Sequence, residues 1–383
     1  MTAFSKWETR LVNLANRFDV ARAAEDARNG CWIYGAGGFG RLTAEALARG
    51  GYPVLGFVDR SARTSATVGQ YRCIHPDDLK LADVEGKTYV HGLMNHTFAS
   101  GDVGRWAVTL PFGRLLFPAE VCQLPNVTLE NYWLARPATF LAAIRDIERV
   151  HDCLADAASA ELYRDLLSYR VSGDPRLHPT VSVEDQYTPD FLPIFGKPIA
   201  LIDAGAYRGD TLEALLAHGV DIQEWIAFEP DEQNLEGLFA TAKAHRERLQ
   251  AYAIYPSGLA ATSGKIGFTK GRGLASQVLP AGAARQGASG EMAWVQALRL
   301  DDVVWTRADL YIKLDIEGAE MGALEGMMEL LAEKRPTVAV SIYHRPADLW
   351  EIPLFFMRNF ERPTLHIRQH GHHGFDTVLY VTL

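Results

Sequence analysis

The chain has 383 residues, 48% hydrophobic, 10% aromatic and 22% charged, which is enough apolar surface for a sizeable core and excludes a disordered chain, a collagen-like repeat or a disulfide-stapled miniprotein. At about 100 to 200 residues per domain, this length predicts two domains. A net charge of −9 argues against a surface that tracks phosphate backbones, so no nucleic acid partner is expected.

Cys31, Cys73, Cys122 and Cys153 lie far apart and read as reduced thiols, not as zinc ligands or a redox pair. Met1 to Val20 alternates charged and apolar residues, unlike a signal peptide, and no run approaches the roughly 18 apolar residues of a membrane span. The expectation is a soluble, cytoplasmic protein with no membrane partner.

In chain order, Phe4, Trp7, Leu11, Leu14, Phe18 and Val20 recur at near-helical spacing and predict an amphipathic lead-in helix over residues 4–28 that packs on the next segment of the chain. The apolar run Cys31 to Tyr34 leads into Gly35-Ala-Gly37-Gly38-Phe-Gly40 and a helical stretch to Arg49. A second strand, Pro53 to Val58, ends at Asp59, and Tyr89 to His91 closes a further one. This βαβ pattern predicts a small α/β domain over residues 1–125. Phe140, Leu141, Ile144, Ile147, Val150 and Leu154, followed by Leu162, Leu166 and Leu167, predict helices and define a connector or cap over residues 126–197. A second α/β alternation fills residues 198–383. Its strands read as Ile199–Asp203, Glu224–Phe228, Ala251–Tyr255, Leu310–Asp315, Thr337–Ile342 and a closing hairpin, Thr364–Arg368 with Thr377–Val381. The small-residue stretch Gly271 to Gly290 reads as a mobile segment; Lys270, Arg272 and Arg285 there would suit phosphate or uronate groups if it folded over a substrate.

Asp203-Ala204-Gly205-Ala-Tyr207-Arg-Gly209-Asp210-Thr211 follows a strand and opens a helix, where glycines permit a tight turn close to a ligand. About twenty residues on, Glu229-Pro230 ends the next strand and delivers a carboxylate suited to both hydroxyls of a ribose. Together they predict a nucleoside at this sheet edge. Asp315 ends a later strand, with Glu317 and Gly318 opening a helix, and His344 ends the strand after that. If those strands are neighbours, His344 lands beside Asp315. His344 is the candidate general base, with Asp315 and Glu317 named beside it as catalytic; Asp315 could orient the base, hold the acceptor or contact an amino group of the bound ligand. A divalent cation on Asp315, Glu317 and His344, acting as a Lewis acid, is the less favoured alternative. His370, His372 and His373 cluster in the last hairpin turn and are read as exposed imidazoles ahead of a metal site.

From about Gln186 to the carboxyl terminus the sequence resembles the FkbM-type S-adenosylmethionine-dependent methyltransferases. The resemblance rests on Ile202-Asp203-Ala-Gly205, Gly209-Asp210-Thr211, Ala227-Phe-Glu229-Pro230, Gly258-Leu-Ala, Leu300-Asp301-Asp302 and, above all, Ile312-Lys313-Leu-Asp315-Ile-Glu317-Gly318-Ala-Glu320. It implies a class I methyltransferase fold with a Rossmann-like seven-stranded sheet, and O-methylation of a carbohydrate or related hydroxyl acceptor. It also implies S-adenosylmethionine held by Asp203, Ala204, Gly205, Tyr207, Gly209, Thr211, Glu229, Pro230 and Asp315, with Ser257 and Gly258 by the adenine.

The amino-terminal Gly35-x-Gly37-x-x-Gly40, with Asp59 at the next strand end, matches the dinucleotide-binding fingerprint in spacing, which makes an NAD-dependent oxidoreductase the rival reading. Ile33 to Arg41, Gly56 to Asp59 and Ile74 to Leu79 resemble the small Rossmann-like domains that precede sugar acyltransferases. That resemblance implies a nucleotide sugar, with Gly37 and Gly38 at its diphosphate and Asp59 near the ribose or base. The alternatives are a domain retained for packing or homo-oligomer formation, and a non-catalytic binding protein.

Overall fold

The computed structural model describes all residues except 1–2, 63–66, 183–185, 271–277, 280–290 and 305. The Gly271 to Gly290 segment therefore lies, apart from a two-residue strand, outside the described residues.

The first sheet contains β1 (Cys31–Tyr34), β2 (Val54–Val58), β3 (Thr67–Val68), β4 (Tyr71–Ile74), β5 (Thr88–His91) and β6 (Arg114–Leu116), in the order β3-β4-β2-β1-β5-β6. All pairs are parallel except β3 with β4. Every residue of β1 and β5 is buried, as expected of central strands covered on both faces.

The second sheet begins with β7 (Ile199–Ala204), β8 (Ile222–Phe228) and β9 (Ala251–Tyr255). The chain then makes β10 (Gly258–Leu259), β11 (Gly264–Lys270), β12 (Val278–Leu279) and β13 (Glu291–Leu298), a separate four-stranded sheet of order β10-β13-β11-β12. It returns as β14 (Asp309–Leu314), β15 (Thr337–Ser341), β16 (Thr364–Gln369) and β17 (Thr377–Thr382), giving seven strands in the order β16-β17-β15-β14-β7-β8-β9. The sheet is parallel except where β17 pairs with β15 and β16. Strand order reverses between β7 and β14, and open sheets of this kind hold ligands outside the carboxyl ends at that reversal. The seven strands read from sequence are these seven, each within two residues at either end. The four-stranded sheet and β3, β4 and β6 were not read from it.

The lead-in helix expected over residues 4–28 is two helices, Ala3–Ala15 and Val20–Arg28, because Asp19 caps the second by accepting the Arg22 amide at 3.0 Å. Leu11 of the first does not pack on the adjacent βαβ unit. It joins Phe140, Ile147, Tyr163 and Leu167 and the β14 and β15 residues Ile312 and Val338 in one core. The connector helices Pro137–Ala142, Ile144–Asp152 and Ala157–Ser172 thus belong to the carboxy-terminal layer. A second core crosses between the halves, placing Tyr343 and Phe375 among Ile33, Met94, Leu129 and Trp133. Among the described residues no helix is long and apolar enough to cross a membrane.

Candidate active site

Gly205 follows β7 at φ 75, and a Cβ there would stand 1.9 Å from the Asp315 carbonyl oxygen, so only glycine lets the two strand ends meet. The Gly205 and Ala206 amides both donate to the Phe228 carbonyl, at 2.9 and 3.1 Å, which folds the turn over the end of β8. Glu229 then accepts the Tyr207 amide on Oε2 at 2.9 Å and the Asp231 amide on Oε1 at 2.8 Å. The Asn234 side chain also hydrogen-bonds this carboxylate, whose remaining lone-pair capacity is left for a ligand hydroxyl. Burial pushes the Glu229 carboxyl up against these hydrogen bonds.

Lys313 lies opposite Asp203 in the β7–β14 register, and its buried ammonium reaches the Gly205 carbonyl at 2.6 Å and Asp203 Oδ1 at 3.3 Å. Burial disfavours that charge, but Asp203 and Asp315 more than offset it and hold Lys313 protonated. Trp225 donates to the other oxygen of Asp203 at 3.4 Å. Asp203, named from sequence as a cofactor contact, is thus fully buried and occupied in bracing the turn from below.

Above the turn lies a cavity of about 310 Å³. Of the residues expected to hold a cofactor, Gly205, Tyr207, Thr211, Glu229, Pro230, Ser257, Gly258 and Asp315 line it, whereas Asp203, Ala204 and Gly209 do not. Ser257 is 3% exposed, and its hydroxyl has no hydrogen-bond partner among the described residues. Phe228 stacks on Tyr255 beside it, with centroids 4.9 Å apart and planes 9° apart. An orphaned hydroxyl, an aromatic floor and a carboxylate with free lone pairs fit an adenosine-type group, the ligand expected from the spacing.

The opposite end of the cavity is acidic and aromatic, lined by Asp315, Glu317, Asp376, Tyr187, Tyr343 and Phe375, with His96 and Tyr132 contributed from the amino-terminal side. The Asp315 carboxylate takes long contacts from Tyr187 at 3.4 Å and Tyr343 at 3.5 Å. Burial and the nearby Asp315 push Asp376 up to about 6 against the pull of His96, His344 and Tyr343. Burial, with Asp315 and Glu320, pushes Glu317 up to about 8.

β14 and β15 are neighbours, and His344 comes to Asp315 as the sequence suggested, at 3.4 Å from Nε2 to Oδ1. It does not line the cavity. Its ring is 1% exposed behind Asp315 and Glu317, with Nδ1 2.8 Å from Glu320 Oε1. Burial alone would depress the imidazole, but Glu320, Glu317 and Asp315 together hold it up to about 10. Surrounded this way it is an imidazolium near neutrality and has no lone pair with which to take a proton.

In the final hairpin His373 is 3% exposed, which corrects the expectation of an exposed imidazole; His370 and His372 are half-buried. The His373 ring stacks on His91 with centroids 6.2 Å apart, and its carbonyl accepts the Trp133 indole N–H at 2.8 Å. Burial lowers His91 and His373 to about 3.

At the amino-terminal turn, Asp59 accepts the Ala36 amide at 2.7 Å and the Ser61 amide and hydroxyl at 2.8 and 2.6 Å. Partial burial works against the Asp59 charge, but these hydrogen bonds hold the carboxyl below its ordinary range. Gly37 caps the helix Gly38–Arg49 without a side-chain hydrogen bond, and a Cβ on Gly37 or Gly38 would meet open space.

Sequence reasoning passed over Lys313 as a functional residue, although a lone lysine in the apolar strand Leu310-Tyr-Ile-Lys313-Leu is a signal of a paired buried charge. It also missed Tyr187, Asp376, His96 and Tyr132. None of these sits in a motif, and they converge only through tertiary packing.

The two parallel sheets and the crevice at the strand-order reversal define a protein of the α/β class with a ligand cavity at the carboxyl edge of its larger sheet. Residues 203–373 match the family model described as Methyltransferase FkbM domain. The crystal structure of Methyltransferase FkbM from Methylobacillus flagellatus KT shares the fold with a TM-score of 0.74 at 18% identity, over 98% of this chain and 99% of that chain. No curated protein matches the sequence.

Proposed function

We propose that the protein is an S-adenosylmethionine-dependent O-methyltransferase acting on a carbohydrate or related hydroxyl acceptor. The observation that carries this reading is Glu229, whose oxygens are fixed by the Tyr207 and Asp231 amides on the wall of a cavity that also holds the unpaired Ser257 hydroxyl. The family match over residues 203–373 supports it.

In this reading Glu229 binds the ribose hydroxyls, Ser257 and Gly258 adjoin the adenine, and Gly205, Tyr207 and Thr211 surround the methionine part. Asp203, Ala204 and Gly209 support the turn without contact. The cofactor supplies an electrophilic methyl group on a sulfonium. Asp315, Tyr187 and Tyr343 orient the acceptor hydroxyl in line with that group, and positioning of this kind supplies much of the rate. The hydroxyl proton needs an acceptor. Asp376 fits that role: it lines the cavity and, at about 6, is ionised near neutrality yet basic enough to receive a proton. His344 supports the acidic wall from behind.

Calorimetric titration of S-adenosylmethionine into wild type and Glu229→Ala tests the assignment. Binding to wild type that weakens at least about tenfold in the variant is expected, in line with loss of charged hydrogen bonds. Wild-type affinity in the variant would overturn it.

A second reading concerns the amino-terminal turn, where the open faces of Gly37 and Gly38 at the start of a 12-residue helix favour a phosphate-bearing ligand such as a nucleotide sugar. Titration with NAD and with a nucleotide sugar, on wild type and Asp59→Ala, tells it from an oxidoreductase. The four free cysteines favour a reducing, cytoplasmic setting.

A further inference from the structure

Asn234 stands in the first turn of the helix Glu232–Ala244, where its backbone N–H donates to the Asp231 carbonyl at 3.0 Å. With Leu238 and Ala242 it makes up the buried stripe of that helix, each four residues from the next. It is 6% exposed, lines the cavity, and is as deeply buried as Glu229. A polar side chain on an otherwise apolar stripe needs a hydrogen-bonding partner, because a buried amide without one is costly. Its partner is the Glu229 carboxylate.

That carboxylate has few other sources of support. Burial pushes it up, and the Asp231 amide, the Asn234 side chain, the Tyr207 amide and the Lys313 charge work against burial in that order. The other charged groups nearby are mostly carboxylates. Asp210 and Asp231 line the same cavity, Asp315 lines its far end, and Asp203 lies beneath the turn, 3.3 Å from Lys313. Among the described residues Lys313 is the only lysine or arginine that lines the cavity, and it is already paired with Asp203. The Glu229 charge therefore rests mainly on neutral donors, of which Asn234 alone is a side chain. An ionised carboxylate is acceptor-only, as a ribose diol requires, whereas the protonated acid presents a donor of its own.

We propose that Asn234 is the positioning residue for Glu229: its side-chain amide holds the carboxylate charged and turned toward the ribose, which keeps nucleoside binding strong into mildly acid solution. The use of the pair to grip a nucleoside rests on the methyltransferase reading. The hydrogen bond between them does not.

The test is the pH dependence of S-adenosylhomocysteine affinity, measured by calorimetry between about pH 4.5 and 8 on full-length wild type, Asn234→Leu and Asn234→Asp. Leucine keeps the apolar stripe and removes the donor. Aspartate, which has the shape of asparagine, replaces the donor with an acceptor and carries the test if the leucine variant does not fold. Affinity should fall with acid as Glu229 gains its proton, and the midpoint of that fall should rise by about one pH unit in Asn234→Leu and further in Asn234→Asp. Above the midpoint wild type and Asn234→Leu should agree within about threefold; below it they should differ by up to about tenfold. A merely structural role would lower affinity by one factor at every pH. Such a uniform loss, or a midpoint that does not move, would overturn the proposal. The Glu229 proton can also be followed without ligand, through the side-chain carboxyl resonance of isotope-labelled protein that disappears in Glu229→Gln. A fixed midpoint there overturns the role of Asn234 even if no nucleoside binds. A raised midpoint in protein that binds no nucleoside leaves Asn234 standing and counts against the methyltransferase reading.

Discussion

The molecule contains the same device twice. In each half a buried parallel strand runs into a glycine turn and a helix, and a carboxylate at the end of the neighbouring strand accepts a turn amide, Asp59 that of Ala36 and Glu229 that of Tyr207. The surroundings differ. Asp59 also takes the Ser61 amide and hydroxyl and stands beside glycines open to solvent, whereas Glu229 stands in a walled cavity beside an unpaired hydroxyl. A glycine turn with an acidic strand end is therefore a way of closing a parallel sheet edge, and what encloses it decides what kind of ligand it suits.

The largest effect should come from the turns themselves. In Gly205→Ala the new methyl would press on the Asp315 carbonyl, and in Gly40→Ala on the Gly35 carbonyl, each at 1.9 Å. Either should cost about 3 kcal/mol or more in urea unfolding, or prevent folding. Gly40→Ala should leave S-adenosylmethionine affinity intact in whatever protein folds. Parallel loss of affinity in both would show that the halves do not act separately.

Acid should loosen the seam between the halves, where His91 of β5 stacks on His373 of the final hairpin. Both have folded pKa values lowered to about 3 by burial, against an ordinary value of 6.5. The unfolded chain therefore binds more protons in this window, so stability is complete above about pH 6.5 and falls as pH drops toward 3. Between pH 7.5 and 5.5 the loss should approach about 1.4 kcal/mol per histidine. Because His344, Glu317 and Asp376, all held up by their surroundings, contribute with the opposite sign in this window, the difference in urea unfolding free energy between wild type and His373→Gln isolates the seam, and it should change by about 1.4 kcal/mol across the range. A difference that does not vary with pH would place no neutral imidazole at His373.

At the acceptor end, Asp376→Asn should lower kcat by about 100-fold with little change in KM, and should remove an acid limb near pH 6 from the rate profile. An intact limb would reassign the base. The smallest of these effects sharpens the comparison most directly. Glu229→Ala should lose about tenfold in S-adenosylmethionine affinity, and Asp59→Ala should lose none by the same calorimetry.

The architecture was legible because its signals are local. Apolar runs ending in glycine or acid mark buried parallel strands, and β7, β8 and β14 of the larger sheet carry such marks, while its other strands were read from their apolar and β-branched residues. The four-stranded sheet was not legible, since Gly264 to Lys270 and Glu291 to Leu298 pair across a long small-residue stretch instead of a two- to five-residue hairpin loop. Half of the candidate site was visible in the same way, with Gly205, Glu229 and Asp315 in motifs at strand ends. The acceptor wall was not, because Tyr187, Asp376 and His96 come from three segments distant in sequence and meet only when the halves pack. His344 shows the limit of reading a residue by type: its position beside Asp315 followed from strand order, but its protonation depends on Glu317 and Glu320, which come to the ring from the turn and helix after β14.

His96 and Tyr132 give the chamber over the larger sheet a wall borrowed from the other half of the chain. On the proposed methyltransferase reading, recognition of the acceptor is thereby divided from the chemistry done on it. Exchanging or reshaping the borrowed wall would retune which compounds are admitted while the machinery beneath stays untouched, so diversification of such a protein can proceed at its lid long before it touches its engine.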